Sequence, residues 1–257
     1  MAPQSPLSNE LNFPWPFPKE PSRFYQIKSK VTLTFVYFCS KMMFCGLNKL
    51  IVKNKQTFID ALEDRSRPLI TISNHRSNVD DPLFWSILSI REFFRNMDRF
   101  RYTLAAHNIC FTRPLHTSLF SLGRCVPCVR GAGVFQTGVD FCVDALSKNG
   151  WVHMFPEGKV TKLPIRIKWG ISRLIAEPKT APILLPIWLN GMQNVWPDQA
   201  PYYPKVGKVV EITVGNPIDT RDLLKNLKGQ TELDRRKEIA DLVQAALFDL
   251  GKTQLSS

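Results

Sequence analysis

From residue 69 onward the chain alternates short apolar runs with longer segments of mixed polarity. The runs at 69–73, 102–106, 125–129, 151–155, 183–188 and 209–214 are rich in β-branched and aromatic residues and bounded by turn formers, so they read as strands. The segments near 82–96, 114–122, 134–148 and 168–177 read as helices between them. Strand and helix in turn predict an α/β sheet with helices on its faces. Near the end, Thr-Glu-Leu-Asp from Thr231 is a capping sequence. Ile239, Leu242, Val243, Ala246, Leu247 and Leu250 then form one stripe, as a helix packed on the core requires.

Upstream the pattern differs. Residues 1–22 carry Pro3, Pro6, Pro14, Pro16, Pro18 and Pro21 with Phe13, Trp15 and Phe17 between them, which excludes a regular helix. An extended arm is expected, packed on the domain or lying at a lipid interface. Residues 31–47 (VTLTFVYFCSKMMFCGL) are the most apolar stretch, but they are interrupted by Lys41 and are shorter than the ~20 residues that span a bilayer. An interfacial or re-entrant helix is the first reading, with a core helix and a true span as alternatives. The organisation expected is therefore an arm over 1–30, a membrane-interacting segment over 31–47 and a catalytic domain over 48–257. The N-terminus has neither the blocks of a secretory signal nor an Arg-rich, acid-poor helix, so any address is expected to be internal.

Composition narrows the partner. The 257 residues, 44% hydrophobic, suit one sizeable core better than two small ones. Lys and Arg outnumber Asp and Glu by 34 to 22, a net +12, which favours an anionic partner: nucleic acid, an acidic membrane face or a phosphorylated substrate. A basic surface serving solubility alone is the plainer alternative. Nucleic acid fares worst, because metal-finger spacing, an aromatic RNA-binding signature and a block of consecutive basic residues are all missing. Cys39, Cys45, Cys110, Cys125, Cys128 and Cys142 do not make a disulfide framework in a chain of this length. Cys125 and Cys128 form a CxxC, but no second pair or nearby His completes a metal site, and none is expected.

Three loops carry candidate chemistry. His75 lies between a strand and a helix, in Ser73-Asn-His-Arg-Ser-Asn-Val-Asp-Asp-Pro82, where Asp81 suits the N-cap and Pro82 the first helical position. The turn lets Asp80 reach one imidazole nitrogen, which fixes the tautomer and leaves the other nitrogen to take a proton from an attacking hydroxyl. His-x4-Asp spacing is weak alone, and a plain capping turn is the bland alternative; position at a strand end favours the active-site reading. Phe155-Pro-Glu-Gly-Lys159 also ends a strand: Gly158 permits close backbone approach, Glu157 can accept from a polyol or an Arg, and Lys159 can meet a phosphate, although a Pro-Glu-Gly segment taken alone is most often just a turn. The third loop follows a strand expected to end in Arg130, a bidentate ligand for phosphate oxygens or, equally without context, a surface Arg beside a flexible turn, and continues Gly131-Ala-Gly133. That loop lacks the third glycine of a dinucleotide fingerprint, so no nucleotide cofactor is expected.

His75-x4-Asp80, Arg130 with its glycines, Phe155-Pro-Glu-Gly158 and Leu185-Pro186 stand in the order of the four blocks of the glycerolipid acyltransferase superfamily. Over roughly residues 12–220 the chain resembles the tafazzin family within it, through Phe-Pro-Trp-Pro, Asn-His-x-Ser-x-x-Asp-Asp-Pro, Cys-Val-Pro before Arg-Gly-x-Gly-Val, Trp-Val-His-x-Phe-Pro-Glu-Gly-Lys-Val, Lys-Trp-Gly-Ile-x-Arg-Leu-Ile-Ala-Glu and Leu-Pro-Ile-Trp-x-x-Gly-Met. The resemblance implies a single domain with a mixed, largely parallel sheet flanked by helices. It implies a transacylase independent of coenzyme A, moving acyl chains between phospholipids and lysophospholipids, with cardiolipin, monolysocardiolipin and phosphatidylcholine as partners. His75 and Asp80 would be catalytic; Arg130, Gly131, Glu157, Gly158 and Lys159 would bind the head group, without metal or cofactor. It also implies mitochondrial membranes facing the intermembrane space, with self-association or larger complexes left open. Leu189 stands where a His is expected, and the loop 160–164 is shorter than usual; both bear on the lipid-facing rim. An acyl-CoA-dependent lysophospholipid acyltransferase and a non-catalytic lipid-binding protein remain the alternatives.

Overall fold

Parallel strands need crossovers of a dozen or more residues, and the spacing of the apolar runs leaves room for a helix in most of them. The computed structural model describes residue 11, residues 13–197 and residues 202–255. The chain runs through α1 (Arg23–Lys41), a π-helical turn (Met42–Gly46), β1 (Lys49–Lys53), α2 (Lys55–Glu63) and β2 (Leu69–Ser73). Next come α3 (Asp80–Ile87), α4 (Ile90–Asn96), β3 (Tyr102–Ala106), α5 (His107–Cys110), α6 (Pro114–Leu122), β4 (Cys125–Cys128), α7 (Thr137–Ser147) and β5 (Trp151–Met154). The remainder is α8 (Gly170–Ala176), β6 (Ile183–Asn190), α9 (Met192–Val195), β7 (Val209–Val214), β8 (Ile218–Asp219), α10 (Thr220–Asn226) and α11 (Glu232–Leu255).

The strands form one sheet in the order β1-β7-β6-β2-β5-β3-β4, with β8 beside β6. From β6 to β4 all neighbours are parallel; β7 and β8 run antiparallel to β6, and β1 is parallel to β7. The architecture is thus the mixed, largely parallel α/β sheet that the sequence leads one to expect. Helices cover both faces, which is why β2 is buried at all five positions and reads as an unbroken apolar run. Leu69, Trp151 and Leu185 pack with Leu33, Tyr37, Phe58 and Phe84 on one face. Ile70, Val152 and Leu184 pack with Cys142, Leu174, Ile239 and Val243 on the other. The carboxyl ends of β6, β2, β5, β3 and β4 therefore share one edge, where open α/β sheets place their sites.

Several local expectations change. The helix expected over 82–96 is two, because Ser89 opens a capping box with Glu92: Ser89 Oγ accepts from the Glu92 N–H and the Glu92 carboxylate from the Ser89 N–H. α2, α5, α9, α10, β1 and β8 are additional elements. α1 starts at Arg23, directly after the proline-rich stretch 1–22 and within the 1–30 division expected as an arm. Of that arm, residues 1–10 and 12, with Pro3 and Pro6, lie outside the described residues. The rest packs on the domain: Phe17 lies 4.6 Å from Phe141 and Phe13 stacks on Phe111 at 5.4 Å. α1 buries Leu33 and Tyr37 and exposes Phe24, Ile27, Val31 and Phe35. Among the described residues no helix is long and apolar enough to cross a membrane.

Candidate active site

Asn74, the first residue beyond β2, fastens the next loop to β6. Its side chain donates to the Leu189 carbonyl at 2.8 Å and accepts from the Leu189 N–H at 2.7 Å. Leu189 is thus buried and met through its backbone. The chain then turns so that His75 Nδ1 lies 2.9 Å from Asp80 Oδ2. The same oxygen accepts from the Arg76 N–H at 2.6 Å and the Ser77 N–H at 2.8 Å. Asp80 is fully buried and opens α3, with Val79 as N-cap. Asp81 is therefore not the cap that the sequence suggests, and Pro82 is the third helical residue. Asp81 pairs instead with buried Arg101 and accepts from Thr103 Oγ1 at 2.9 Å, because a buried guanidinium needs a carboxylate partner.

With only acceptor atoms facing it, Nδ1 carries the hydrogen and Nε2 keeps its lone pair. The ring stacks on Phe155, centroids 4.2 Å apart, and stays 17% exposed. His75 can thus take a proton at Nε2 while Asp80 balances the imidazolium that forms.

The β5 loop locks this turn from below. Gly158 sits at φ 72°, where glycine is favoured, and the turn sends Glu157 inward. Glu157 is fully buried; its Oε2 accepts the His75 N–H at 2.9 Å, and Oε1 lies 3.7 Å from Arg76 Nη1. The carboxylate expected to meet a polyol or an Arg thus meets the Arg, inside the protein, and is not open to a head group. Arg76 also donates to Thr161, at 2.7 Å to the carbonyl and 3.0 Å to Oγ1, and the Thr161 N–H returns to the His75 carbonyl at 3.0 Å. Below Phe155, buried His153 is held by two hydroxyls. Trp151 Nε1 donates to Thr71 Oγ1 at 2.8 Å, leaving the Thr71 hydroxyl to donate to His153 Nδ1 at 2.9 Å and His153 Nε2 to donate to Ser73 Oγ at 3.3 Å. Burial, then Arg101 and His75, hold the His153 pKa well below its ordinary value. Neutral His153 puts no second cation beside His75.

Burial also raises the Glu157 pKa, more than the His75 N–H and Arg76 lower it. The neutral carboxyl is what the fold favours, so this stabilisation is full below the ordinary Glu range and lost as pH rises through the raised value. Glu157→Gln, neutral at every pH and still an acceptor for the His75 N–H, should melt above wild type near about pH 8 and lose that margin toward about pH 4. Thermal melts across that range check it; a variant that melts below wild type at the alkaline end refutes it.

The structure brings His75, Asp80, Glu157 and Gly158 together. Lys159 is exposed beyond them. β4 ends at Cys128, two residues before Arg130, and lies three strands from β2, about 14 Å across the sheet. Arg130 and Gly131, the latter at φ 88°, are exposed on the same edge, past the end of β4. Sequence reasoning missed Arg76, Thr161, Asn74 and His153. Asn74 and Arg76 flank His75 in a loop already singled out, whereas nothing local marks Thr161.

The solved structure of the 1-acyl-sn-glycerophosphate (LPA) acyltransferase of Thermotoga maritima shares this fold, with a TM-score of 0.58 and 14% identity over 91% of this chain and 84% of that one. Tafazzin of Drosophila melanogaster is 39% identical over 247 residues, 93% of this chain and 65% of the fly protein. N-acylphosphatidylethanolamine synthase of Arabidopsis thaliana is 37% identical over 186 residues, 67% of this chain and 64% of the plant protein. The chain thus spans slightly less than two thirds of either relative. Residues 49–190 match the model of the acyltransferase family. The match reaches from the start of β1 to the end of β6 and takes in the His75 and Glu157 loops alike, and the chain belongs to the acyltransferase family.

Proposed function

We propose that the chain is a phospholipid–lysophospholipid transacylase that works without coenzyme A and remodels cardiolipin. The observation that carries the reading is the His75–Asp80 pair, with Nδ1 committed to the carboxylate and Nε2 open at the carboxyl edge of the sheet. In the reaction, Nε2 takes the proton of the lysophospholipid hydroxyl as its oxygen bonds to the carbonyl carbon of a donor ester. The tetrahedral adduct then breaks its bond to the donor glycerol oxygen, which receives the proton from the imidazolium. One ester replaces another, so the reaction is nearly thermoneutral, and one His serves both directions without metal or cofactor.

Asp80 is the electrostatic partner of His75, and Glu157 with Gly158 positions the loop. Lys159 and Arg130 with Gly131, aided by Lys162, Arg166 and Lys168, hold phosphate head groups. The likeness to tafazzins supports monolysocardiolipin as acceptor and phosphatidylcholine as donor. It also supports a place on mitochondrial membranes facing the intermembrane space, peripheral or interfacially anchored through 31–47, with 48–257 as the catalytic unit and 1–30 as an arm.

The test mixes purified protein with acyl-labelled phosphatidylcholine and monolysocardiolipin and omits coenzyme A. Label should reach cardiolipin with wild type and not with His75→Asn. Transfer that needs added acyl-CoA would overturn the reading. A parallel arm offers phosphatidylethanolamine, because the plant relative's name puts the acyl group on an amine. Label moving only to that amine would replace the hydroxyl acceptor.

A further inference from the structure

The loops leaving β2, β5, β3 and β4 reach the same edge as the segments entering β1 and β7, because those two strands, like β8, run opposite to β6, β2, β5, β3 and β4. That edge is chemically one-sided. Residues 107–116, 129–136, 155–169 and 202–209 hold one acidic residue, Glu157, and it is fully buried. Arg113, Arg130, Lys159, Lys162 and Lys168 are exposed on the same segments. Arg166 is exposed too, but lies 3.6 Å from Asp241 of α11. Among these cations stand large exposed apolar side chains: Leu115 at 76% and Leu163 at 75%, with Leu47, Ile109, Tyr203 and Val206.

Single exposed apolar residues need no explanation. Here several share one edge with a set of cations and, on those segments, with no exposed acid. We propose that this edge docks on an anionic phospholipid bilayer, apolar tips below the head groups and the His75 opening turned to the lipid. A bilayer fits better than a protein groove because the apolar tips are spread over separate loops, which a fluid surface accommodates without shape matching. The Leu163 loop is also tied to the site. Thr161 donates its N–H to the His75 carbonyl at 3.0 Å and its hydroxyl to the Leu163 carbonyl at 2.7 Å. Seating Leu163 in lipid therefore sets the depth of His75 relative to the ester carbonyls. The inference deepens the transacylase reading and rests on it only for what enters the site.

The other contact is the exposed stripe on α1, with Val31 and Phe35, through which the 31–47 segment would anchor alongside the edge. The test floats the full chain with vesicles of phosphatidylcholine and phosphatidylglycerol in equal parts, comparing wild type, Leu115→Gln/Leu163→Gln and Val31→Gln/Phe35→Gln. The edge variant's affinity for these vesicles should fall about a hundredfold or more, the order expected for withdrawing two leucines from an apolar environment, and its flotation with it. Its turnover of vesicle lipid should fall in parallel, while turnover of short-chain lipids dispersed as monomers stays at the wild-type level. An edge variant that floats like wild type while the α1 variant does not would overturn the proposal, as would equal losses on vesicle and monomeric lipid. Flotation reports docking whether or not an acyl group moves, so a wild type that docks by this edge but transfers nothing sinks the transacylase reading alone.

Discussion

His75→Asn is expected to lower kcat for acyl transfer about 10³-fold, within the ~10²–10⁴ that a positioned general base contributes, while KM and melting temperature stay close to wild type. The choice of Asn follows from the geometry. Its amide nitrogen overlies Nδ1 and can still donate to Asp80 Oδ2, now 2.9 Å from the imidazole, so the buried carboxylate keeps its partner. What disappears is Nε2, the atom left to accept the substrate proton. The loop should also hold its shape, since the His75 backbone is fixed independently, by Glu157 on its N–H and by Thr161 on its carbonyl. Steady-state kinetics with a melt on the same samples check the expectation. A kcat within tenfold of wild type would show that His75 is not the base.

Much of this arrangement was legible because burial on both faces of a parallel sheet writes each strand as an apolar block. β1 was not, because Lys49–Lys53 runs on from the apolar stretch 31–47 and its partner, β7, begins at Val209. The break between α3 and α4 was written in the sequence as Ser89 and Glu92, a capping box inside an otherwise helical pattern. At the site, the His75–Asp80 spacing was visible, but two adjacent acids were both able to cap the helix. Only Arg101, twenty residues on in sequence and buried, decides that Asp81 turns away. Glu157 shows a different limit. A Pro-Glu-Gly turn says that a carboxylate is present, not which way it points, and its partners come from the β2 loop, 82 residues earlier. Thr161 was hidden for the same reason, its contact with Arg76 spanning 85 residues.

The clip formed by Arg76, Thr161 and Glu157 shows what the 160–164 loop has to supply to the His75 turn. The loop needs only to bring the Thr161 N–H to the His75 carbonyl and its own carbonyl and hydroxyl to Arg76. Leu189 is accommodated in a similar way. Its backbone, not its side chain, meets Asn74, so a residue without a polar side chain serves there. At both places backbone groups make most of the contact, with the Thr161 hydroxyl as the one side-chain addition.

Asp80→Asn should lower kcat about 10²- to 10³-fold, less than His75→Asn, and leave the fold intact. The loop amides of Arg76 and Ser77 both point at the position of Oδ2, so an Asn in this place is obliged to turn its oxygen there. Its nitrogen then takes the place of Oδ1, which has no hydrogen-bond partner among the described residues. His75 Nδ1 still donates to an oxygen, and the tautomer with a free Nε2 lone pair is preserved. The loss therefore measures charge alone: a neutral amide no longer balances the imidazolium that forms as the hydroxyl proton arrives. Asp80→Ala removes the acceptor as well as the charge, and strands two buried amides at a cost of about 1–3 kcal/mol each. It should thus lower the melting temperature where Asp80→Asn does not, and lose at least as much activity. If Asp80→Asn were as inactive as His75→Asn, the carboxylate would have to do more than balance charge. If both Asp80 variants kept wild-type kcat, the pair would not be the proton-transfer machinery, however well its geometry suits the task.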